Sequence, residues 1–420
     1  MPLQKLLFKP GINREITSYS NEGAWVDADK IRFRQGFPEK IGGWESISSA
    51  TFLGVCRSLK AWVTLGGVDL LGVGTNLKFY LEQGGQYNDI TPIRATTSLT
   101  NPFTTVNGNT VVTVTDATAG YENGDFVTFS GASAVGGLTL NGEFQITYIS
   151  GSTYTIVSPA AATSGATGGG SVTATYQINI GASVGVPIVG WGAGAWGLGV
   201  WGTGGSSVKP IRLWSQANFG QSLIFGPRGG GIFFWDGSGS SSTRGVLVSG
   251  IAGASGVPTV QNLLITSDAS RFVFCIGANP IGTTTQNPMH VRWSAQEDFL
   301  DWTPSAVNQA GSLTLSRGSE LVAVMQARQE ILIWSNSALY SFQYVEPPIV
   351  WSSQLVGDNI SIASQNSMAY ANGTAYWMGK DKFYKYDGRT QPLPCDVRRY
   401  VFADINPQQY DQVYAGTNEG

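Results

Sequence analysis

Four stretches of the chain repeat one plan, and this repetition constrains the fold more than any other feature. Each has an apolar segment, a few polar or glycine residues, and then a segment rich in aromatic residues. Alternating apolar residues on both sides of a short turn are typical of a β-hairpin. The four stretches are LLGVGTNLKFYLEQ (70–83), LIFGPRGGGIFFWDG (223–237), ILIWSNSALYSFQY (331–344) and AYWMGKDKFYKYDG (375–388).

Further strands adjoin these hairpins. ELVAVMQARQ and SMAYANG precede the third and fourth hairpins, and NLLITSDASRFVFCIGANP with MHVRWS forms another unit. From the strand of Val291 to Tyr340 and then to Tyr384 the spacing is roughly 45 to 50 residues, which is typical of propeller blades. Helical periodicity is weak, and only DVRRYVFADI (396–405) predicts a short helix. The sequence therefore predicts an all-β fold, a β-propeller built from aromatic hairpin blades.

One segment interrupts the blade pattern. Residues 97–182 are rich in Thr, Ser, Gly and Val, and their strand candidates TVVTVTD, DFVTFSG, EFQITYIS, TYTIVSP and SVTATYQI alternate between short turns. Such a pattern predicts a small β-sandwich. We therefore expect residues 1–96 to form an N-terminal arm and the first part of the propeller, 97–182 an inserted sandwich, 183–206 a Gly/Trp-rich loop, and 207–420 the rest of the propeller.

The last residues form an unusual end. QYDQVYAGTNEG indicates a strand and a turn without a following partner strand, and an unpaired strand edge is a liability. Two explanations are open: this strand pairs with the N-terminal segment, or the natural chain continues beyond it. We favour a chain truncated at its C-terminal end.

Composition limits the possible functions. The chain has 55 Gly, 13 Trp, 16 Tyr and 19 Phe among 420 residues, and only 13% of its residues are charged. A surface so poor in charge favours association, so we expect an oligomer. The net charge of −3 argues against a protein that grips nucleic acid, although DNA could pass without being held.

The cysteines and the N-terminus point to folding in the cytoplasm. Cys56, Cys275 and Cys395 are odd in number and far apart, which argues against a disulfide framework and against zinc-binding spacing. We expect buried thiols in a reducing compartment. Lys9 and Pro10 interrupt the first apolar residues, so the start of the chain does not resemble a signal peptide.

A run of glycine and tryptophan, GWGAGAWGLGVWGTGG (190–205), contains Trp191, Trp196 and Trp201. The 19 residues 184–202, which overlap this run, have the length and lack of charge of a spanning helix, but their many glycines oppose helix formation. The five-residue spacing fits neither a strand nor a helix, and it favours a chain bent at glycines that presents one indole at each bend. The indoles could pack on the same chain, on a neighbouring subunit at an interface, or on a membrane surface.

The sequence predicts no catalytic, cofactor-binding or metal-binding residues. His290 is the single histidine and lies in a strand-like run, without the motifs of a nucleophilic, metal or phosphate site, so we expect a structural role. EDFLDW brings Glu297, Asp298 and Asp301 together, but it departs from an EF-hand loop. We expect these carboxylates to cap turns.

DKIRFRQG (29–36) is a candidate interface. Strand alternation predicts Lys30, Arg32 and Arg34 on one face, with Ile31 and Phe33 on the other. This basic edge could be solvated, could meet acidic residues of an adjacent subunit, or could border a path for DNA.

Four phrases of the chain resemble a known family. They are LFKPGINREITSYSNEGAWVDADKIRFRQGFPEKIGGWE, LKFYLEQGGQYNDITPI, RLWSQANFGQSLIFGPRGGGIFFWDG and VRWSAQEDFLDWTPSAVNQAGSLTL. They are similar to the tail nozzle, or tail hub, proteins of short-tailed bacteriophages, also called tail tubular protein B or packaged-DNA stabilisation proteins. The resemblance covers most of the chain outside the sandwich.

The resemblance implies a structural virion protein of the phage tail that is assembled in the bacterial cytoplasm. It implies a propeller that forms a homohexameric ring, and a conduit and seal for genome retention and ejection. The implied partners are a tail adaptor above the ring, fibres, spikes or a tip needle beside or below it, double-stranded DNA in transient passage, and the host surface. For the sandwich we expect an outward position as a decoration or fibre-docking module.

A function from another class remains open. Aromatic side chains could also serve a propeller that binds, or cleaves, carbohydrate on the host surface. The sequence lacks the clustered carboxylates that cleavage needs.

Overall fold

The computed structural model describes residues 8–43, 45–46, 48–118, 120–185 and 210–417, and nearly all regular structure in these ranges is β-strand. An N-terminal hairpin contains β1 (Ile31–Arg34) and β2 (Phe37–Lys40). Blade 1 contains β3 (Cys56–Val63), β4 (Asp69–Thr75), β5 (Phe79–Gln83) and β6 (Gln86–Asp89). The insert contains β7 (Ile93–Thr100), β8 (Phe103–Thr105), β9 (Val111–Thr115), β10 (Phe126–Ser130), β11 (Gly142–Gln145), β12 (Thr147–Ser150), β13 (Thr153–Val157), β14 (Ala166–Gly168) and β15 (Ser171–Gln177).

Four more blades follow the insert. Blade 2 contains β16 (Trp214–Phe219), β17 (Ser222–Pro227), β18 (Phe233–Trp235) and β19 (Val246–Leu247), and blade 3 contains β20 (Leu263–Thr266), β21 (Val273–Ile276), β22 (His290–Trp293) and β23 (Gly311–Thr314). Blade 4 contains β24 (Leu321–Gln326), β25 (Ile331–Ser335), β26 (Ala338–Glu346) and β27 (Val350–Asp358). Blade 5 contains β28 (Met368–Ala371), β29 (Thr374–Met378), β30 (Phe383–Tyr386) and β31 (Thr390–Leu393). The helices are α1 (Arg398–Asp404) and the 3-10 helices Val248–Gly250 and Pro407–Gln412.

The blades form a propeller, as the repeats predicted. Five of the six four-stranded antiparallel sheets of the described residues are the blades, and each blade has its strands in sequence order. The first strands of successive blades are neighbours, because β16 contacts both β3 and β20, and β20 contacts β24. All four predicted hairpins are confirmed as β4–β5, β17–β18, β25–β26 and β29–β30.

The hydrophobic cores of the propeller lie between blades. Phe79 of blade 1 stacks on Phe225 of blade 2 at 4.3 Å between ring centroids, and Trp334 of blade 4 meets Trp377 of blade 5 at 5.3 Å. Glycine allows such close contact, because a Cβ on Gly74 would lie 2.7 Å from the Trp214 ring. Each blade is therefore stabilised largely by its neighbours.

The C-terminal segment, residues 407–417, docks where blades 5 and 1 meet and closes the ring between them. The Ser364 hydroxyl donates to the Val413 carbonyl at 2.9 Å, the Ala415 amide donates to the Asn366 carbonyl at 2.7 Å, and Asn366 Nδ2 donates to the Arg57 carbonyl at 3.3 Å. The prediction of an unpaired strand in this region was wrong, because the chain forms a 3-10 helix at Pro407–Gln412 and then docks in extended form. The short helix predicted at 396–405 is confirmed as α1.

The insert is a two-sheet sandwich. Its sheets have the orders β11-β10-β15-β7 and β12-β13-β9-β8-β14, and one core of buried side chains lies between them. EFQITYIS, predicted as one strand, divides into β11 and β12 because the chain changes sheets at the buried Ile146. The predicted boundary at residue 97 lies within β7.

A cluster of charged side chains around the buried Lys78 joins the insert to the blades. Lys78 Nζ of blade 1 lies 2.8 Å from Asp89 Oδ2 and 2.5 Å from Glu143 Oε1 of the insert, and Arg244 of blade 2 lies 3.2 Å from Asp89 Oδ1. Burial would raise the pKa of the Asp89 carboxyl, but attraction to Arg244 and Lys78 outweighs it and holds this pKa below its usual value. The insert is thus fixed to two blades by electrostatic contacts.

Candidate functional site

The N-terminal hairpin holds the predicted basic edge. Gln35 and Gly36 form its two-residue turn with φ of +51° and +87°, a left-handed geometry typical of tight hairpins. Arg32 lies opposite Glu39 in the strand register, and Arg32 Nη2 is 2.7 Å from Glu39 Oε1. The hydrogen bond from Arg32 is the main reason that the pKa of the Glu39 carboxyl is lowered. Arg32 therefore has an intramolecular partner.

The other two basic residues differ from Arg32. Lys30 precedes β1 in a left-handed conformation (φ +56°), so the strand alternation does not extend to it, and its Nζ lies 3.9 Å from Asp29. Arg34 ends β1 and is exposed. On the apolar side, Phe33 packs near Trp25 with 6.3 Å between ring centroids.

Trp191, Trp196 and Trp201 lie outside the described residues. The last residue described before them, Gly185, exchanges two hydrogen bonds with the side chain of Gln409, at 3.1 and 2.6 Å. Gln409 therefore holds Gly185 in place.

His290 is buried within blade 3. Its Nδ1 lies 2.7 Å from the Thr314 hydroxyl of the neighbouring strand, and burial together with Arg292 lowers the pKa of the imidazole. The histidine therefore links two strands.

Two of the three carboxylates of EDFLDW, those of Asp298 and Asp301, cap turns as predicted. Asp298 accepts a hydrogen bond from the Leu300 amide at 2.8 Å, and Asp301 accepts from the Thr303 amide at 3.2 Å and from the Ser255 hydroxyl at 2.7 Å. Glu297 adopts a left-handed conformation (φ +57°) in the same turn region.

Three remaining features bear on the chemistry. Cys275 is buried as predicted, but the prediction was wrong for Cys56 and Cys395, which are partly exposed. No cluster of three His, Cys, Asp or Glu side chains suited to a metal ion occurs within the described ranges. In the same part of the chain, no helix has the length and hydropathy needed to cross a membrane.

A cavity of about 420 Å³ lies where blades 2 to 5 and the C-terminal segment converge. The residues before the first strands and in the loops between the second and third strands contribute most of its wall. We call it the axial cavity, and it is lined by Pro210, Arg228, Gly229, Asn262, Leu263, Gln286, Glu320, Leu321, Val322, Ile362, Ala363, Gln365, Lys380 and Asp411.

An ion pair and hydrogen bonds connect the polar residues in the wall of the axial cavity. Arg228 Nη2 lies 2.7 Å from Asp411 Oδ2, so the guanidinium of blade 2 holds the C-terminal segment in place. Gln365 Nε2 donates to the Trp214 carbonyl at 3.1 Å, and Gln286 Nε2 donates to Asn262 Oδ1 at 2.7 Å.

The sequence pattern did not predict this cavity. Its polar residues are separated by long stretches of chain, and Arg228 and Asp411 are 183 residues apart. The turn GPRGGG (226–231) was the only local signal near it, because a charged residue among glycines in a turn is accessible to other groups.

Comparisons with known proteins give no family assignment. No protein-family model matches the sequence, and no curated protein is significantly similar to it. Solved structures that align include the phage phi92 endosialidase (13% identity, TM-score 0.25, 81% of this chain and 55% of that chain). Others are apo AztD from Citrobacter koseri (10% identity, TM-score 0.31, 77% and 67%) and the extracellular domain of BT4673 from B. thetaiotaomicron (11% identity, TM-score 0.30, 88% and 58%). This chain thus aligns with about half of the phi92 endosialidase, and likeness at these TM-scores carries no functional argument.

Proposed function

We propose that the protein is a tail nozzle component of a short-tailed bacteriophage, and that several copies form a ring through which the genome is retained and released. The resemblance that motivates the proposal involves the N-terminal segment and blades 1 to 3. The all-β propeller with an inserted sandwich is compatible with it.

The observation that carries the proposal is a group of exposed apolar side chains in blade 1. In blade 1 the first strand exposes Leu59 and Val63 at 53% and 59%, and the adjoining turn exposes Leu65 at 93%. In contrast, the side chains of β20 and β24, the first strands of blades 3 and 4, are buried or half-buried. Large exposed apolar groups on a defined surface favour association, here with neighbouring copies.

Charge also suits a conduit. The chain has a net charge of −3, so it lacks an excess of basic residues. A weakly acidic surface repels phosphate, so double-stranded DNA would pass without being held. The proposal includes the partners that the resemblance implies, which are a tail adaptor and fibres, spikes or a tip needle.

Mass measurement of the purified protein, together with a low-resolution image, tests the proposal. We expect a ring of about six chains, whereas a monomer at high concentration would overturn the proposal. In the double variant Leu59→Asp and Val63→Asp, the ring is expected to dissociate while circular dichroism stays unchanged. Val307→Asp, at a position 96% exposed in blade 3, is the matched control and is expected to leave the ring intact.

The basic edge is tested separately. If Arg32 meets acidic residues of an adjacent subunit, Arg32→Glu prevents ring formation and leaves the monomer folded. Intact rings of this variant would rule out that interface. The only role of the Arg32 side chain would then be its intramolecular ion pair with Glu39.

A further inference from the structure

We infer that the axial cavity is a binding site for a neutral carbohydrate of one or two sugar units. This function goes beyond the proposed nozzle role, which does not require a small-molecule site. The cavity belongs to a single copy of the chain, so the inference does not depend on ring formation.

Position and size support a ligand site. Ligand pockets are concave, usually between about 300 and 1,000 Å³, and often lie where several elements converge. The axial cavity has a volume of about 420 Å³, and four blades and the C-terminal segment contribute to its wall. A monosaccharide or disaccharide is small enough to enter it.

The charges of the wall select a neutral ligand. Arg228 and Lys380 are its basic residues, and Glu320 and Asp411 are its acidic residues, so the formal charges cancel. Arg228 is also neutralised directly by Asp411 at 2.7 Å. A phosphate-containing ligand would find no net positive charge, and a metal cation would find no cluster of carboxylates.

The hydrogen-bonding groups suit hydroxyls. Asn262, Gln286 and Gln365 supply amides that both donate and accept, as sugar hydroxyls do. Gln286 Nε2 and Gln365 Nε2 already donate to Asn262 Oδ1 and to the Trp214 carbonyl, whereas no hydrogen bond within the described part of the chain uses Asn262 Nδ2 or Gln286 Oε1. The polar wall can therefore satisfy a ligand with several hydroxyls.

Apolar side chains complete the site. Leu263, Leu321 and Ile362 lie in the same wall as the amides. A sugar ring presents C–H groups on its faces and hydroxyls at its rim, so a wall that combines aliphatic and amide groups matches both parts of it.

The inference concerns binding and not cleavage. Glycoside hydrolysis needs a pair of carboxyl groups, one of which acts as the acid. Arg228 already holds Asp411, which leaves Glu320 as the other carboxylate of the wall. We therefore assign no chemical step to this cavity.

Calorimetric titration of the intact protein tests the site, with glucose, galactose, N-acetylglucosamine, maltose and lactose as probes. We expect at least one of them to bind, and we expect Gln286→Ala and Asn262→Ala each to weaken the binding about tenfold, the effect of losing one hydrogen bond. Gln391→Ala, at an exposed position on β31, is the matched control and is expected to bind like the unmodified protein. Circular dichroism verifies that the variants are folded.

Three results would overturn the inference. One is the absence of heat with every sugar at about 20 mM, a concentration that detects weak sites. Another is sugar binding that both cavity variants leave unchanged. The third is binding of inorganic phosphate but no sugar. None of these results changes the mass of the ring, so the failure of this site and the failure of the nozzle proposal are distinguishable.

Discussion

The blades and the insert are both antiparallel β-structures, yet they bury their side chains in different ways. Four of the five hydrophobic clusters lie between consecutive blades, such as the cluster that joins Trp334 of blade 4 to Trp377 and Tyr384 of blade 5. The fifth cluster lies wholly within the insert. A blade therefore depends on its neighbours, whereas the insert contains its own core.

The surfaces of the two regions differ as well. Across the five strands of one insert sheet, five threonines lie in a single row, with Thr104 and Thr167 3.2 Å apart at their hydroxyl oxygens; the row contains Thr147, Thr155, Thr113, Thr104 and Thr167. β-Branched residues suit a pleated surface, and the hydroxyls keep this surface polar without charge. The difference indicates that the insert is a separate folding unit.

The largest expected effect is on folding of the isolated parts. Residues 92–179 contain both sheets of the insert and its whole core, so we expect them to fold alone with cooperative thermal unfolding. Residues 319–360, which contain blade 4 alone, expose both of its apolar faces and are expected to be unfolded. Well-dispersed amide NMR signals for the insert and poorly dispersed signals for blade 4 would show that the first folds alone and the second does not. An unfolded insert would contradict it.

Next in size is the effect of Trp334→Ala. Trp334 is fully buried between blades 4 and 5, and loss of such a side chain costs about 3–5 kcal/mol of the free energy of unfolding. Since residues 97–182 contain no tryptophan, urea unfolding followed by tryptophan fluorescence reports on the propeller. Tyr376→Ala, at a position 37% exposed in blade 5, is the control and is expected to cost much less. Equal losses would argue against a core between the blades.

A smaller loss is expected from Lys78→Met at the junction. Lys78 is 3% exposed and contacts Asp89 of blade 1 and Glu143 of the insert, whose side chains are 22% and 31% exposed, so its removal leaves Arg244 as the remaining basic partner of these carboxylates. Loss of such a charged hydrogen bond costs about 2 kcal/mol. Two separate thermal transitions in place of one would be the sign that the insert and the blades unfold independently. Lys60→Met, on the exposed side of β3, is the control and is expected to leave the transition unchanged.

The smallest expected effect is that of acid on the same junction. Because the pKa of Asp89 is lower in the folded protein, its contribution to stability is present above the unfolded pKa of about 3.9 and is lost as pH falls through the folded value. We therefore expect coupling between insert and blades to be constant from pH 7 to about pH 5 and to weaken below about pH 4. Thermal unfolding scans from pH 7 to below pH 4 measure this coupling, as one transition or two. Weakening that begins near pH 6 would implicate a different group.

Local pattern was sufficient for the blade hairpins and for most insert strands. Alternating apolar residues around a tight turn specify a hairpin within about 15 residues, so LLGVGTNLKFYLEQ and its three counterparts form as predicted. The C-terminal prediction failed because alternation in QYDQVYAG satisfied a strand locally, while contacts with Arg228, Ser364 and Asn366 stabilise another conformation. The axial cavity escaped prediction because its residues come together only when the blades close around the axis.

The sequence by itself determined the all-β class, the aromatic hairpin repeats and the change of composition that marks the insert. These properties depend on residues close together in the chain, and backbone sterics and side-chain alternation act at that range. Only the tertiary structure decided which blades share a core, how Lys78, Asp89, Glu143 and Arg244 meet at the junction, and how the C-terminal segment completes the axial cavity. Those contacts join residues far apart in the chain, and their energies depend on burial and distance, which no local pattern contains.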